Sequence, residues 1–414
     1  MDIIVLEQYP SSRRGGQGIV LFEVCRVLAK RGHNISLLYT QEDNLLDQYQ
    51  QFCTQVIKVN KFIISRPQDI SNFFVDITKI CKEITTTENN IILCNEIPNI
   101  PFGWVLAASK NIPLIGYLHY TPDPPLWTIW YKNKGLQGFK SLLVGFLHKL
   151  QSNIAIKQVN RFIAVSQQTK LNWVNSSNYD LENIIDVVYN GIDLDAYEPT
   201  TDFSAIRKEW QIPENIGVIS YVGRLDKEKG LETLIKAFAL LLNTGVECKL
   251  IIAGKPVSQD EDYQKSLEQL SSDLGLENYV KFIGHVSNPC SIYQMSDITV
   301  LPSRWAEPFG RVIIESMACG TPVVASRIGG IPEILTGEFE KLLFEPENEL
   351  ELSKTLSKVI HWRVKEPELS PICRQHISSK FSIGKTVDGI EKVIEKQILA
   401  KISNSNIEDK YGTT

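Results

Sequence analysis

Short apolar runs recur along this chain, each followed by a stretch of helical spacing, and that alternation restricts the fold more than any other feature. MDIIVLEQYP is strand-like, a Gly-rich loop follows, IVLFEVCRVLAKRGH has helical periodicity and stops at Gly32, and NISLLYT is a second strand. NIILCN (90–95), PLIGYLHY (113–120), NRFIAVS (160–166) and IIDVVYNG (184–191) continue the series. After the polar stretch LDAYEPTTDFS (194–204) a second series begins. It comprises VISYVGR, KLIIAGK, YVKFIGHV, DITVLPS, TPVVASR and KLLFEP, again with helical segments between. Strands separated by helices form parallel βαβ units, so the chain reads as α/β with two Rossmann-like, doubly wound parallel-sheet domains facing across a cleft. The expected divisions are an N-terminal domain over 1–198, joined by a C-terminal helix over 384–401, and a second domain over 199–383. The polar tail 402–414 is expected to be disordered.

Composition narrows the function classes. With 414 residues, 43% hydrophobic and 22% charged, the chain is long enough for two soluble cores. A net charge of −5 gives no global attraction for nucleic acid. The eight cysteines are scattered, without a CxxC pair, and the six histidines do not cluster, so no metal site is expected. Unpaired cysteines, the absence of a basic n-region before MDIIVL and the lack of a 20-residue apolar span point to the cytoplasm.

In open parallel sheets ligands bind beyond the carboxyl ends of the strands. The residues there are the Gly15–Gly18 loop, His119, Gly223 to Gly230, Gly254, Gly284 and Glu307. EPFGRVIIESMACGTPVVAS sets Glu307 in a loop and Glu315 about one turn into a helix that starts near Arg311. Between them lie the free backbone N–H groups of a helix N-terminus, which suit an anion, and carboxylates beside an anion site suit the hydroxyls of a sugar or ribose. An acid-rich helix start favoured by the macrodipole is the plainer reading of the same residues. In YVGRLDKEKGLETLIKAF, Arg224 leaves a strand and Lys229 precedes the glycine that opens a helix; two such cations suit a diphosphate, although DKEK is also ordinary surface sequence. Gly15 and Gly16 allow a close backbone approach to phosphate. The dinucleotide fingerprint fails there, because the third glycine position, counted from Gly16, is Leu21.

These stretches, in order, resemble the glycosyltransferases of family 4, which have the GT-B fold. The resemblance covers nearly the whole chain through the Gly15–Gly16 loop, His119, AVSQQTK (164–170), YNGIDLDAYEP (189–199), GRLDKEKG (223–230), IAG (252–254), FIGHV (282–286), LPSRWAEPFGRVIIESMACGTPVVAS (301–326) and GGIPEIL (329–335). It implies a retaining, metal-independent transferase that moves a sugar from a nucleotide diphosphate sugar to a glycan, lipid-linked or small-molecule acceptor, with no cofactor. Arg224 and Lys229 would neutralise the diphosphate, Gly16 beside Gly15 would approach it, and Glu315, with Arg311 near it, would meet the ribose. Glu307, with the N–H groups of Phe309 and Gly310, would hold the sugar. His119 would contact the sugar near the reacting carbon, and the backbone around Ile283, Gly284 and His285 would receive the base beyond Gly223 and Gly254. The same resemblance makes polysaccharide or glycolipid assembly the expected setting.

Two other readings compete. A silent nucleotide-sugar-binding partner subunit would need the same cleft, yet His119, Arg224, Lys229, Glu307 and Glu315 are all present. A nicotinamide oxidoreductase is disfavoured by Leu21, and by Glu42 and Asp43 lying beyond the usual spacing for a ribose-binding acid. From Pro124 to Lys170 there is no Asp or Glu, while Lys132, Lys134, Lys140, Lys149, Lys157, Arg161 and Lys170 are basic and Trp127 and Trp130 add aromatic surface. FKSLLVGFLHKLQ within it reads as a core helix with lysines on its wet face; the alternative is peripheral contact with an anionic membrane.

Overall fold

A computed structural model describes residues 1–13, 15–85, 87, 89–120, 122, 135–177, 180–200, 202–256 and 261–411. Two compact units divide the chain, one formed by Met1–Tyr189 with Ile383–Thr414, the other by Asn190–Ser382.

The first unit is built on a seven-stranded sheet of order β3-β2-β1-β4-β5-β6-β7, with every pair parallel. Its strands are β1 (Asp2–Glu7), β2 (Asn34–Tyr39), β3 (Gln55–Lys58), β4 (Asn90–Cys94), β5 (Leu114–Leu118), β6 (Arg161–Ala164) and β7 (Ile185–Val187). The central strands β4 and β5 are buried at every position, as a sheet covered by helices on both faces requires. The edge strand β3, QVIK, is absent from the sequence reading; with only two apolar residues and neighbours on one side, it lacks the continuous apolar run of a buried strand.

The second unit holds a six-stranded parallel sheet of order β10-β9-β8-β11-β12-β13. Its strands are β8 (Gly217–Val222), β9 (Cys248–Ala253), β10 (Val280–Gly284), β11 (Ile298–Leu301), β12 (Val323–Ser326) and β13 (Leu343–Phe344). Counted from β8, this is the doubly wound 3-2-1-4-5-6 order, so the chain reverses direction of winding between β8 and β11. The first unit reverses in the same way between β1 and β4. Helices diverge outside the carboxyl ends at such a switch point, which makes these two places the sites to inspect.

The helix Pro67–Glu83, which the sequence reading does not name, has Pro at its first position and Asp69 accepting from the Ser65 N–H at 3.1 Å and the Arg66 N–H at 2.9 Å. Two differences from the sequence reading concern other helices. The last helix runs Ile383–Tyr411, through most of the polar stretch read as a tail, since extending an existing helix costs far less than starting one. The amphipathic segment forms the helix Gly135–Ile156, but not as a core helix. Leu143, Phe146, Leu147, Leu150 and Ile154, at helical spacing, are exposed. Its last turn places Ala155 and Ile156 in the core, and polar contacts hold it as well: His148 Nε2 lies 2.8 Å from Ser65 Oγ, and Gln151 bonds both the N–H and the carbonyl of Ile64. Trp127, Trp130, Lys132 and Lys134 lie outside the described residues. Among the described residues no helix is long and apolar enough to cross a membrane.

Candidate active site

At the switch point of the second unit the chain leaves β8 through Gly223, whose φ of 155° places the backbone where the Tyr221 hydroxyl would sit 2.9 Å from any Cβ. That hydroxyl donates to the Arg224 carbonyl at 2.6 Å, fixing the loop while the Arg224 side chain stays 52% exposed. Arg224 pairs only loosely with Asp226, at 3.4 Å. A single 3-10 turn, Lys227–Lys229, follows and ends at Gly230 with φ 67°. A Cβ on Gly230 would lie 2.1 Å from the Pro302 carbonyl, so only glycine lets this turn press onto the exit of β11. That approach brings Lys229 Nζ onto Glu307 Oε1, an ion pair between residues far apart in sequence. Ser303 Oγ donates to the same oxygen at 2.6 Å. Neither residue of the pair is more than one-fifth exposed, with Lys229 at 17% and Glu307 at 14%.

The Glu307 loop is clamped from behind by two further glycines. The Gly330 N–H donates to the Glu307 carbonyl at 2.7 Å, and a Cβ on Gly329 would come within 2.3 Å of that carbonyl. Phe309 is buried, edge-on to Phe381 with ring centroids 5.8 Å apart, and anchors the turn. Gly310, at φ 104°, opens the helix Arg311–Ala318, and no side chain caps that helix. On the helix, Arg311 Nε lies 2.5 Å from Glu315 Oε1, and the buried Tyr293 hydroxyl donates to Oε2 at 2.8 Å. Burial, with the Glu315 charge beside it, pushes the Tyr293 phenol well above its usual range, so it remains a donor. Each Glu315 oxygen thus starts with one partner and, having two lone pairs, retains room for one hydroxyl more.

The exit of β10 joins this group through backbone. Gly254 donates its N–H to the Gly284 carbonyl at 2.7 Å, and a Cβ on it would fall 1.8 Å from the Gly223 carbonyl. Pairing of β10 with β9 shifts register between Phe282 and Gly284, which leaves Ile283 as the extra residue at the strand's end. Gly284 has φ 72° with open space where a Cβ would be, and His285 beyond it is exposed.

At the first unit's switch point, Gly15 has φ 122° and the helix Gly16–Lys30 begins without a side-chain cap. Gly18 is needed for close packing, since a Cβ there would lie 2.3 Å from the Ser11 carbonyl. His119, just past β5, is buried; its ring lies 4.1 Å, centroid to centroid, from that of Tyr117, and its Nε2 is 2.7 Å from Asn95 Oδ1. Burial pulls its pKa down to about 3, so the imidazole is neutral throughout the physiological range. Asn95 Nδ2 in turn donates to Glu7 Oε2.

The structure therefore brings Lys229, from the loop that leaves β8 through Arg224, onto Glu307 at the exit of β11, with Arg311 and Glu315 on the adjoining helix, and places Gly15, Gly16 and His119 in the other unit. Sequence reasoning missed Ser303, Tyr293, Asn95 and Glu7. Glu7, Asn95 and Ser303 sit at strand ends or just beyond them, where the rule that singled out His119 would have found them. Tyr293 lies within the short helix Cys290–Met295 and carries no local signal.

Each of the two units matches a family of known proteins. The model of Glycosyltransferase Family 4 matches residues 14–196 and that of Glycosyl transferases group 1 matches residues 202–372. Over 297 residues the chain is 30% identical to a D-inositol 3-phosphate glycosyltransferase of Mycolicibacterium smegmatis, covering 71% of this chain and 61% of that protein. It is 28% identical to an N-acetyl-alpha-D-glucosaminyl L-malate synthase of Bacillus anthracis, covering 79% of each. Among solved structures, Anabaena HepE in complex with UDP and glucose superimposes with a TM-score of 0.74 at 22% identity, over 95% of this chain and 99% of that one. A sucrose-phosphate synthase of Thermosynechococcus elongatus superimposes with a TM-score of 0.69 at 21% identity, over 96% and 99%.

Proposed function

Because the chain belongs to glycosyltransferase family 4 and has the GT-B fold, we propose that it transfers a sugar from a nucleotide diphosphate sugar to an acceptor hydroxyl, with retention and without a metal ion. The observation that carries this reading is the Lys229–Glu307 pair beside Arg224 at the switch point. A cation pair there neutralises the diphosphate and stabilises the charge that grows on it as the bond to the sugar breaks. The adjoining carboxylate holds sugar hydroxyls: Oε1 of Glu307 is taken by Lys229 and Ser303, and Oε2 accepts from the sugar. Glu315, oriented by Tyr293 and Arg311, accepts from the ribose, and the backbone of Ile283, Gly284 and His285 receives the base. HepE was captured with UDP and with UDP-glucose, so UDP-sugars are the first donors to try.

In the step we envisage, the bond from the anomeric carbon to the diphosphate oxygen breaks and the bond to the acceptor oxygen forms on the same face. The acceptor's proton passes to the departing phosphate oxygen. Glu307 and the neutral His119 position the sugar and take no proton. Incubation with UDP-, GDP- and ADP-sugars in EDTA tests this: slow hydrolysis of one donor, lost in Glu307→Ala and Arg224→Ala, is expected. Product with inverted configuration, or turnover abolished by EDTA, would refute the retaining or metal-free part. Binding without turnover across acceptors would favour the silent partner subunit.

We also propose that the exposed stripe of Leu143, Phe146, Leu147, Leu150 and Ile154 rests on an anionic bilayer, where a lipid-linked acceptor would be found. The apolar residues face water rather than a core, Lys149 and Lys157 beside them are exposed, and no acidic residue interrupts positions 124–170. Flotation with phosphatidylglycerol vesicles, reduced in Phe146→Glu and by added salt, is the expected result; equal binding to neutral vesicles would argue against the electrostatic part.

A further inference from the structure

The first unit contains a buried polar chain that the reaction as written does not use. Glu7 ends β1, Asn95 follows β4 and His119 follows β5, so three strand exits side by side in the sheet meet in one hydrogen-bonded line. Glu7, Asn95 and His119 are all buried, and Asn95 is fully so. The Asn95 N–H also donates to the Leu6 carbonyl at 3.1 Å, which fixes its backbone at the end of β1.

Asn95 Nδ2 faces Glu7, the arrangement required when the Glu7 carboxylate is ionised and can only accept. The carbonyl oxygen then faces His119, and only an N–H can satisfy it. His119 must therefore carry its proton on Nε2. Since the ring is neutral, Nδ1 is left as a lone pair. The reverse arrangement, with the amide turned and the proton on Nδ1, requires Glu7 to hold a proton. The amide thus relays the charge of Glu7 into the choice of imidazole tautomer.

We propose that Asn95 is a positioning residue which, held by ionised Glu7, fixes His119 with Nε2 protonated and Nδ1 free to accept a hydrogen bond from a sugar hydroxyl. The role of the hydroxyl rests on the glycosyltransferase reading; the tautomer does not, because it is set within the protein before any ligand binds. The experiment follows from that separation. Protein labelled with 15N-histidine, without nucleotide sugar, is examined by long-range 1H–15N correlation at neutral pH, with His119→Gln identifying the signal. The wild type should show the Nε2–H tautomer. Glu7→Gln, whose amide can donate or accept, should raise the Nδ1–H population, and Asn95→Ala should remove the preference. In donor hydrolysis, Asn95→Ala and Glu7→Gln should then slow turnover by about tenfold, the low end for residues that orient a functional histidine.

A wild-type protein with the proton on Nδ1, or a tautomer unchanged in both variants, overturns the proposal. If Asn95→Ala does not fold, Glu7→Gln, nearly isosteric with the native residue, decides the matter by the same signal. If no nucleotide sugar is turned over by any form, the glycosyltransferase reading fails while the tautomer result stands.

Discussion

The two ends of the second unit's sheet carry ionic clusters of opposite character. At the amino end of β11, Asp297 accepts from Arg207 at 3.0 Å, from Arg363 at 2.8 Å and from the Val218 N–H at 2.7 Å. Arg207 completes its own set on the carbonyls of Met295, Glu214 and Ile216, and is only 2% exposed. At the carboxyl end, Glu307 has both partners on one oxygen, and Arg224 is half in water with one loose pairing at 3.4 Å. The buried cluster is closed, with donors and acceptors matched inside the protein. The other keeps capacity unspent. A closed network serves architecture, since adding a ligand to it would displace a bond already made; open valence beside a strand exit is what a ligand can use.

This contrast makes its own tests. The largest effect is expected from Arg207→Ala, which takes one of two guanidinium partners from buried Asp297 and strips the Met295, Glu214 and Ile216 carbonyls of their donor; it should cost about 3–5 kcal/mol of stability, read from urea unfolding. The folded fraction of that variant should keep its donor affinity; a variant that is stable but inactive would break the comparison. Next, Lys229→Ala should lower turnover by about 10²–10³-fold, the usual loss for one preorganised group on a developing charge, with little change in thermal midpoint. A large fall in stability with modest loss of rate would place Lys229 with the structural cluster instead. Tyr293→Phe removes one bond to Glu315 and should cost on the order of 1 kcal/mol, appearing as a few-fold rise in the donor KM with kcat nearly unchanged.

The last effect concerns pH and is confined to acid solution. Burial lowers the His119 pKa from its ordinary value near 6.5 to about 3, so the unfolded chain binds this proton more readily than the folded one. The stabilisation is complete above about pH 6.5 and is lost as pH falls toward 3. His119→Gln should therefore flatten acid unfolding over that window, whereas an unchanged acid limb would show that His119 is more hydrated than its surroundings indicate.

How far the chain could be read without its structure depends on distance along it. The alternation of apolar runs and helical spacing determines the α/β class, because each buried strand and each helix face leaves its own local period. Strand exits then point to Arg224, Glu307 and His119, since a parallel sheet puts its functional loops at one end. Edge strand β3 was illegible because one-sided pairing needs no apolar run, and the exposed stripe of Gly135–Ile156 because periodicity reports that a face exists but not what covers it. Only the tertiary structure decided which charges meet. Lys229 finds Glu307 because a glycine lets one loop touch the exit of another strand, and Asn95 finds both Glu7 and His119 because β1, β4 and β5 lie side by side. A short sequence window fixes local geometry; a hydrogen bond between remote residues is fixed by the order in which strands are laid down.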